Sequence, residues 1–141
     1  MKFAAFALSI AALALPAVSQ TTYSLSYDNT YDDATLSLDD VACSDGTNGL
    51  ITKGYTELGQ LPTYPNVGGF VAVTGWNSAA CGTCYEVTYG SETITVTAVD
   101  VALDGFNLSE EAMNTLTGNQ AAFLGRVNVT AVAVDASTCG L

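Results

Sequence analysis

Few side chains in this sequence could carry chemistry, and Asp100 is the most suggestive of them. It closes the run Thr93-Ile94-Thr95-Val96-Thr97-Ala98-Val99-Asp100. Ile94, Val96 and Ala98 alternate with Thr93, Thr95 and Thr97, the period of a half-buried β-strand. If the pleat runs on, Asp100 falls in the apolar row. A carboxylate there is costly unless it is hydrogen-bonded or opens onto a cleft. The plainer alternative is that Asp100 only ends the strand before a turn at Asp104-Gly105.

Two chemistries follow from such an acid. Inverting glycoside hydrolysis needs a second carboxyl group roughly 6.5–9.5 Å away, leaving room for water. Asp45 and Asp104 are the candidates, with Asp100 as the acid. Both sit beside glycines and are already explained as turn residues. Binding without cleavage needs less. A carboxylate accepts strong, charge-assisted hydrogen bonds from vicinal sugar hydroxyls. Thr47 and Asn48 add a hydroxyl and an amide, and Lys53 either contributes or pairs with Asp100 or Asp45. Tyr27, Tyr55 and Trp76 offer ring faces for stacking on a pyranose, although aromatic side chains are more often core. The residues favour binding, with no catalytic group assigned.

The rest of the composition narrows the classes further. Residues 1–19 have the form of a secretory signal: Lys2, an apolar run from Phe3 to Leu15, then Pro16-Ala17-Val18-Ser19. Residues 20–141 are expected to form one domain. Beyond the signal only Lys53 and Arg126 oppose fourteen acidic residues, a formal charge of −12, and the chain contains no histidine. Nucleic acid is an unsuitable partner for such a surface. No stretch is long enough to span a membrane. His-based triads are excluded, and no metal or cofactor is expected.

Four cysteines, Cys43, Cys81, Cys84 and Cys139, in an exported chain imply two disulfides. Three pairings are possible. Cys43–Cys81 with Cys84–Cys139 is favoured because neighbouring cysteines bonded to different partners tie three distant regions together. Each bridge would contribute about 3–4 kcal/mol in the chain-entropy model. Read as a redox motif, Cys81-Gly82-Thr83-Cys84 lacks the βαβ setting and basic surroundings of a reactive thiolate.

The elements that would position these groups are mostly strands. Tyr23, Leu25 and Tyr27 alternate with polar neighbours as an opening strand. Asp28–Leu38 is polar and turn-rich, with no firm element. Cys43 to Leu50 is a tight Gly-rich loop. Ile51–Tyr55 reads as a short strand, and so does Phe70–Thr74, bounded by Gly68-Gly69 and Gly75. Tyr85–Tyr89, the turn Gly90-Ser91 and Glu92–Val99 form a hairpin. Asn107 is read as the N-cap, with Glu110 in a capping box, of a helix over 108–117 that ends at Gly118. Val127–Val134 is the last strand. Six strands around one or two short helices suggest a closed β-barrel, which leaves no sheet edge. Asn128 and Asn107 each begin a glycosylation sequon, and Asn128 is the better acceptor because Asn107 is occupied as a cap.

Several segments together carry a family resemblance. They are Cys43-Ser44-Asp45-Gly46-Thr47-Asn48-Gly49-Leu50-Ile51-Thr52-Lys53-Gly54, Gly75-Trp76-Asn77-Ser78, Cys81-Gly82-Thr83-Cys84, Ala98-Val99-Asp100, Asp104-Gly105-Phe106-Asn107 and Cys139-Gly140-Leu141. In order and over nearly all of residues 20–141, they resemble the cerato-platanin family. The resemblance implies a mainly β fold, a six-stranded double-psi β-barrel related to the first domain of expansins, and the same disulfide pairing. It implies a secreted fungal wall protein that binds chitin-type N-acetylglucosamine oligomers and loosens cellulose without hydrolysing it. It also implies self-association at interfaces and perception by plant defence. The family's important aspartate corresponds to Asp100. Val101 follows it, so no second titrating group stands beside that acid.

Overall fold

The computed structural model describes residues 11–14 and 20–141. Most of the signal expected at 1–19 lies outside the described residues. Six strands form a closed barrel: β1 (Thr21–Tyr27), β2 (Val67–Phe70), β3 (Cys84–Tyr89), β4 (Glu92–Val101), β5 (Phe106–Leu108) and β6 (Arg126–Val134). Around the barrel their order is β1-β5-β2-β4-β3-β6. β1 pairs in parallel with β5, and β2 with β4, while the remaining pairs are antiparallel. Two short helices, α1 (Glu110–Thr117) and α2 (Ala121–Leu124), lie between β5 and β6.

Alternation builds the interior. Leu25, Val67, Phe70, Val87, Val96, Phe106 and Leu108 are almost wholly buried. Phe70 and Phe106 stack with ring centroids 4.3 Å apart, and Tyr23 meets Phe70 edge-on at 5.2 Å. Such offset and edge contacts add to area burial. The expected hairpin is present, with Gly90 at φ +59° in its turn. Both favoured disulfides are formed, Cys43–Cys81 and Cys84–Cys139. The first ties the Gly-rich loop to the segment after Trp76. The second ties the start of β3 to the chain's last turn.

Four expectations are corrected. Ile51–Tyr55 makes turns and no strand, because its amides return to its own loop: Lys53 to Leu50 O, Gly54 to Ile51 O and Tyr55 to Leu50 O. The strand expected at Phe70–Thr74 is Val67–Phe70, with Gly68 and Gly69 inside it. Neighbouring backbones leave no room there for a side chain. A Cβ on Gly68 would lie 2.3 Å from Asn107 O, and one on Gly69 2.5 Å from Val101 O. Asn107 does not cap the helix; it is the middle residue of β5. The cap is Ser109, whose Oγ accepts from Ala112 N at 3.0 Å and donates to Pro65 O at 2.6 Å. Glu110 is therefore the first helical residue, and the two orphan amides of Glu110 and Glu111 donate to Asp32 instead. Finally, Asp28–Leu38 is turn-rich as expected but does carry short defined elements. Asn29–Asp32 and Leu38–Asp40 are 3-10 turns, and the first buries Tyr31.

Candidate functional site

Asp100 sits where β4 departs from regular pairing. Gly68 faces Ala98 and Gly69 faces Asp100, so Val99 is an extra residue on β4. A bulge of this kind re-aims the following side chain. The uninterrupted pleat assumed from the alternation therefore does not place Asp100. Its half-buried carboxylate instead meets the segment from Tyr31 to Ala42. Oδ1 accepts from Ala42 N at 3.0 Å and from its neighbour Val101 N at 2.8 Å, while Oδ2 accepts from the Tyr31 hydroxyl at 2.9 Å. Cys43 N donates to Val99 O at 3.1 Å, which fastens the same segment to the strand.

Tyr31 is a constant donor. Burial, and then the Asp100 charge, push its hydroxyl far above the ordinary phenol range. An ionised carboxylate offers about four acceptor positions. Three are taken, and the remaining one lies on Oδ2. This grip is narrower than the two-hydroxyl clasp suggested by the sequence. No carboxyl group is among the hydrogen-bond partners of Asp100.

The Gly-rich loop forms a second cluster. Asp45 Oδ1 accepts from the indole N–H of Trp76 at 2.6 Å. Asn48 donates twice to Asn77, through its backbone N–H to Oδ1 at 2.9 Å and through its own amide to the backbone oxygen at 3.0 Å. Asn48 thus holds the Trp76 segment in place, and its amide hydrogens are partly committed. Thr47 is exposed at the loop's tip. Lys53 lies along Gly82, where its Nζ is 2.9 Å from the site a Cβ would occupy. Tyr27 and Tyr55 are half-buried and pack on the core. Trp76 is 63% exposed. Of the three candidate ring faces, only that of Trp76 is mostly open to solvent. Its setting in a Gly-Trp-Asn-Ser turn was the only sequence signal for this.

Asp104 is neither beside Asp100 in the hydrogen-bond network nor a bare turn residue. It accepts from Ser24 Oγ at 3.0 Å, and Ser24 Oγ accepts from Arg126 Nη1 at 2.9 Å. Asp104 and Arg126 line a cleft of about 250 Å³ with Ser26, Val101, Leu103 and Asn107. Asn107 Oδ1 accepts from Ser26 Oγ at 3.0 Å. Asn128 is exposed on β6, facing Ser24 in register. Among the described residues no group of three or more Asp, Glu, Cys or His is placed to hold a metal, and no helix is long and apolar enough to cross a membrane.

A family model described as cerato-platanin matches residues 23–141. The chain belongs to the cerato-platanin family. Among solved structures, cerato-platanin 3 of M. perniciosa is 50% identical, with a TM-score of 0.83 over 86% of this chain and all of that one. The solution structure described as the fungal elicitor cerato-platanin is 45% identical, with a TM-score of 0.73 over 82% of this chain and 95% of that one. The heat-stable 19 kDa antigen of Coccidioides immitis is 48% identical, covering all of this chain and 99% of its own length. The closed barrel is accordingly the double-psi barrel of the cerato-platanins. Both disulfides and the Asp100 motif lie within the matched region.

Proposed function

We propose that this cerato-platanin is a secreted fungal wall protein that binds carbohydrate without cleaving it. Its ligands are β-linked N-acetylglucosamine oligomers of the chitin type, and it loosens wall polysaccharide as expansins do. The observation that carries the reading is Asp100. It is a half-buried carboxylate at a strand end, oriented by three donors, with one acceptor position left and no carboxyl group among its hydrogen-bond partners. That arrangement suits accepting a hydrogen bond from a hydroxyl.

Loosening then needs no bond breakage. Polysaccharide chains adhere through many hydrogen bonds of modest net strength. A protein that takes over a few hydroxyls transiently lets one chain slip past another. Elicitation, the property in the description of one solved relative, extends this proposal to release from the wall. The test is titration of N-acetylglucosamine and glucose tetramers followed by NMR. The amides of Ala42, Val101 and the Gly46–Gly49 loop are expected to shift, with no new reducing ends. Reducing ends released from soluble oligomers, and lost in Asp100→Ala, would establish hydrolysis instead.

A second reading, adsorption and self-association at interfaces, draws on one end of the barrel. Val101 pairs with Phe70 there, and Val71 donates to Gly105 O at 2.8 Å. Val71, Val101 and Leu103 are all exposed, Leu103 at 99%. Exposed apolar patches of this kind mark interaction surfaces. Leu103→Ser is expected to weaken the lowering of surface tension by dilute protein and to leave oligomer binding unchanged. Equal surface tension for variant and parent would dismiss the patch.

A further inference from the structure

Trp76 is the chain's single tryptophan. Its ring is large and apolar, yet the fold leaves it 63% exposed. The exposure is built in. Gly46, at φ +80°, passes so close beneath the turn that a Cβ would lie 2.7 Å from Asn77 Oδ1 and 3.1 Å from Trp76 Cζ2. Asn77 adopts φ +56°, rare for a residue with a side chain, and Asn48 locks it with two hydrogen bonds. The indole N–H is bound to Asp45. The disulfide from Cys43 to Cys81 joins the two supporting segments. An aromatic ring fixed in this way loses little freedom when a ligand covers it.

We infer that Trp76 is a stacking platform for one hexopyranose ring of a neutral, β-linked polysaccharide chain, with Asp45 and Thr47 receiving hydroxyls at that ring's edge. The inference rests on the carbohydrate-binding reading and adds a second contact to it. A β-linked pyranose in its chair form presents C–H groups on its faces and hydroxyls around its rim. An indole face beside a carboxylate and a free hydroxyl matches that pattern. Asp45 Oδ2 remains open, since the indole takes Oδ1. The strongly acidic chain argues against polyanionic ligands. The platform and the Asp100 cluster are also linked through the backbone. Ala42 donates to Asp100, and Asp45 lies three residues further on, a span of at most about 11 Å. A short oligomer is long enough to meet both.

The single tryptophan supplies its own readout. The N-acetylglucosamine tetramer and cellotetraose are titrated into the full exported chain while Trp76 emission and acrylamide quenching are followed. Binding is expected to shift the emission to the blue and to lower the quenching constant about twofold. Trp76→Ala is expected to weaken tetramer binding about tenfold by NMR, with amide dispersion outside the loop unchanged. Asp45→Asn retains an acceptor for the indole and is expected to weaken binding about threefold. If the tetramers shift the amides around Asp100 while Trp76 emission and quenching stay constant, the platform is wrong and the carbohydrate reading stands. If neither tetramer binds, both fall. If trilysine protects Trp76 and neither tetramer does, the platform belongs to a cationic partner and the inference is overturned.

Discussion

Replacing Cys84 and Cys139 together by alanine is expected to lower the free energy of unfolding by about 4 kcal/mol. The bridge closes a segment of 55 residues, and the chain-entropy model assigns a loop of that length about 4 kcal/mol. Both cysteines are buried, at 0% and 2% exposure, so the alanines also leave small voids between β3 and the chain's last turn. Removing Cys43–Cys81, which closes 38 residues, has a similar effect by the same model. Domains of this size are stable by only about 5–15 kcal/mol. Breaking both bridges is therefore expected to unfold the chain at room temperature. Urea unfolding of the alanine pair, followed by Trp76 emission, measures the first effect, and the loss of far-ultraviolet β signal in reductant measures the second. An unchanged urea midpoint for the alanine pair would mean that the aromatic interior carries the barrel unaided.

The parts legible in the sequence were those whose physics is local. The β3–β4 hairpin announces itself through alternation on both sides of Gly90-Ser91. Signals that depend on distant chain were ambiguous. β5 has three residues, too few for a period, and Asn107 fits a helix cap as well as it fits a strand. Gly68 and Gly69 look like punctuation, yet they are strand residues emptied of side chains by the approach of β5 and β4. Ile51–Tyr55 contains β-branched residues, but its loop offers no partner strand. At the site, Asp100 was legible as a carboxylate out of place, whereas its partners were not. Tyr31 is 69 residues away in a segment without periodicity, and a backbone amide such as Ala42 N leaves no mark in sequence. Asn48 was legible as a polar loop residue, but not as the brace of the tryptophan turn.

Substitutions at Asp100 are expected to separate its structural duty from its ligand duty. Asp100→Ala strands three donors: the amides of Ala42 and Val101 and the Tyr31 hydroxyl. Tyr31 is only 5% exposed, so water reaches its hydroxyl poorly. The expected loss of stability is about 2–3 kcal/mol, the penalty for leaving such groups unpaired. Asp100→Asn behaves differently. Its Oδ1 still serves both amides, and its NH2 donates to the Tyr31 oxygen, so that only the Tyr31 O–H loses its acceptor. Stability is expected to fall by about 1 kcal/mol, less than in Asp100→Ala. The charge is gone, however, and with it the charge-assisted bond proposed to a sugar hydroxyl. Binding of the N-acetylglucosamine tetramer is expected to weaken about tenfold, since hydrogen bonds to an ionised acceptor are roughly twice as strong as neutral ones. Paired denaturation and NMR titrations on the two variants check this. A folded Asp100→Asn that binds the tetramer as tightly as the parent would confine the residue to bracing the 31–42 segment. The site would then have to be sought elsewhere on the barrel. A loss of affinity without loss of fold would show that the bulge at Val99 aims a carboxylate for a ligand as well as for the chain.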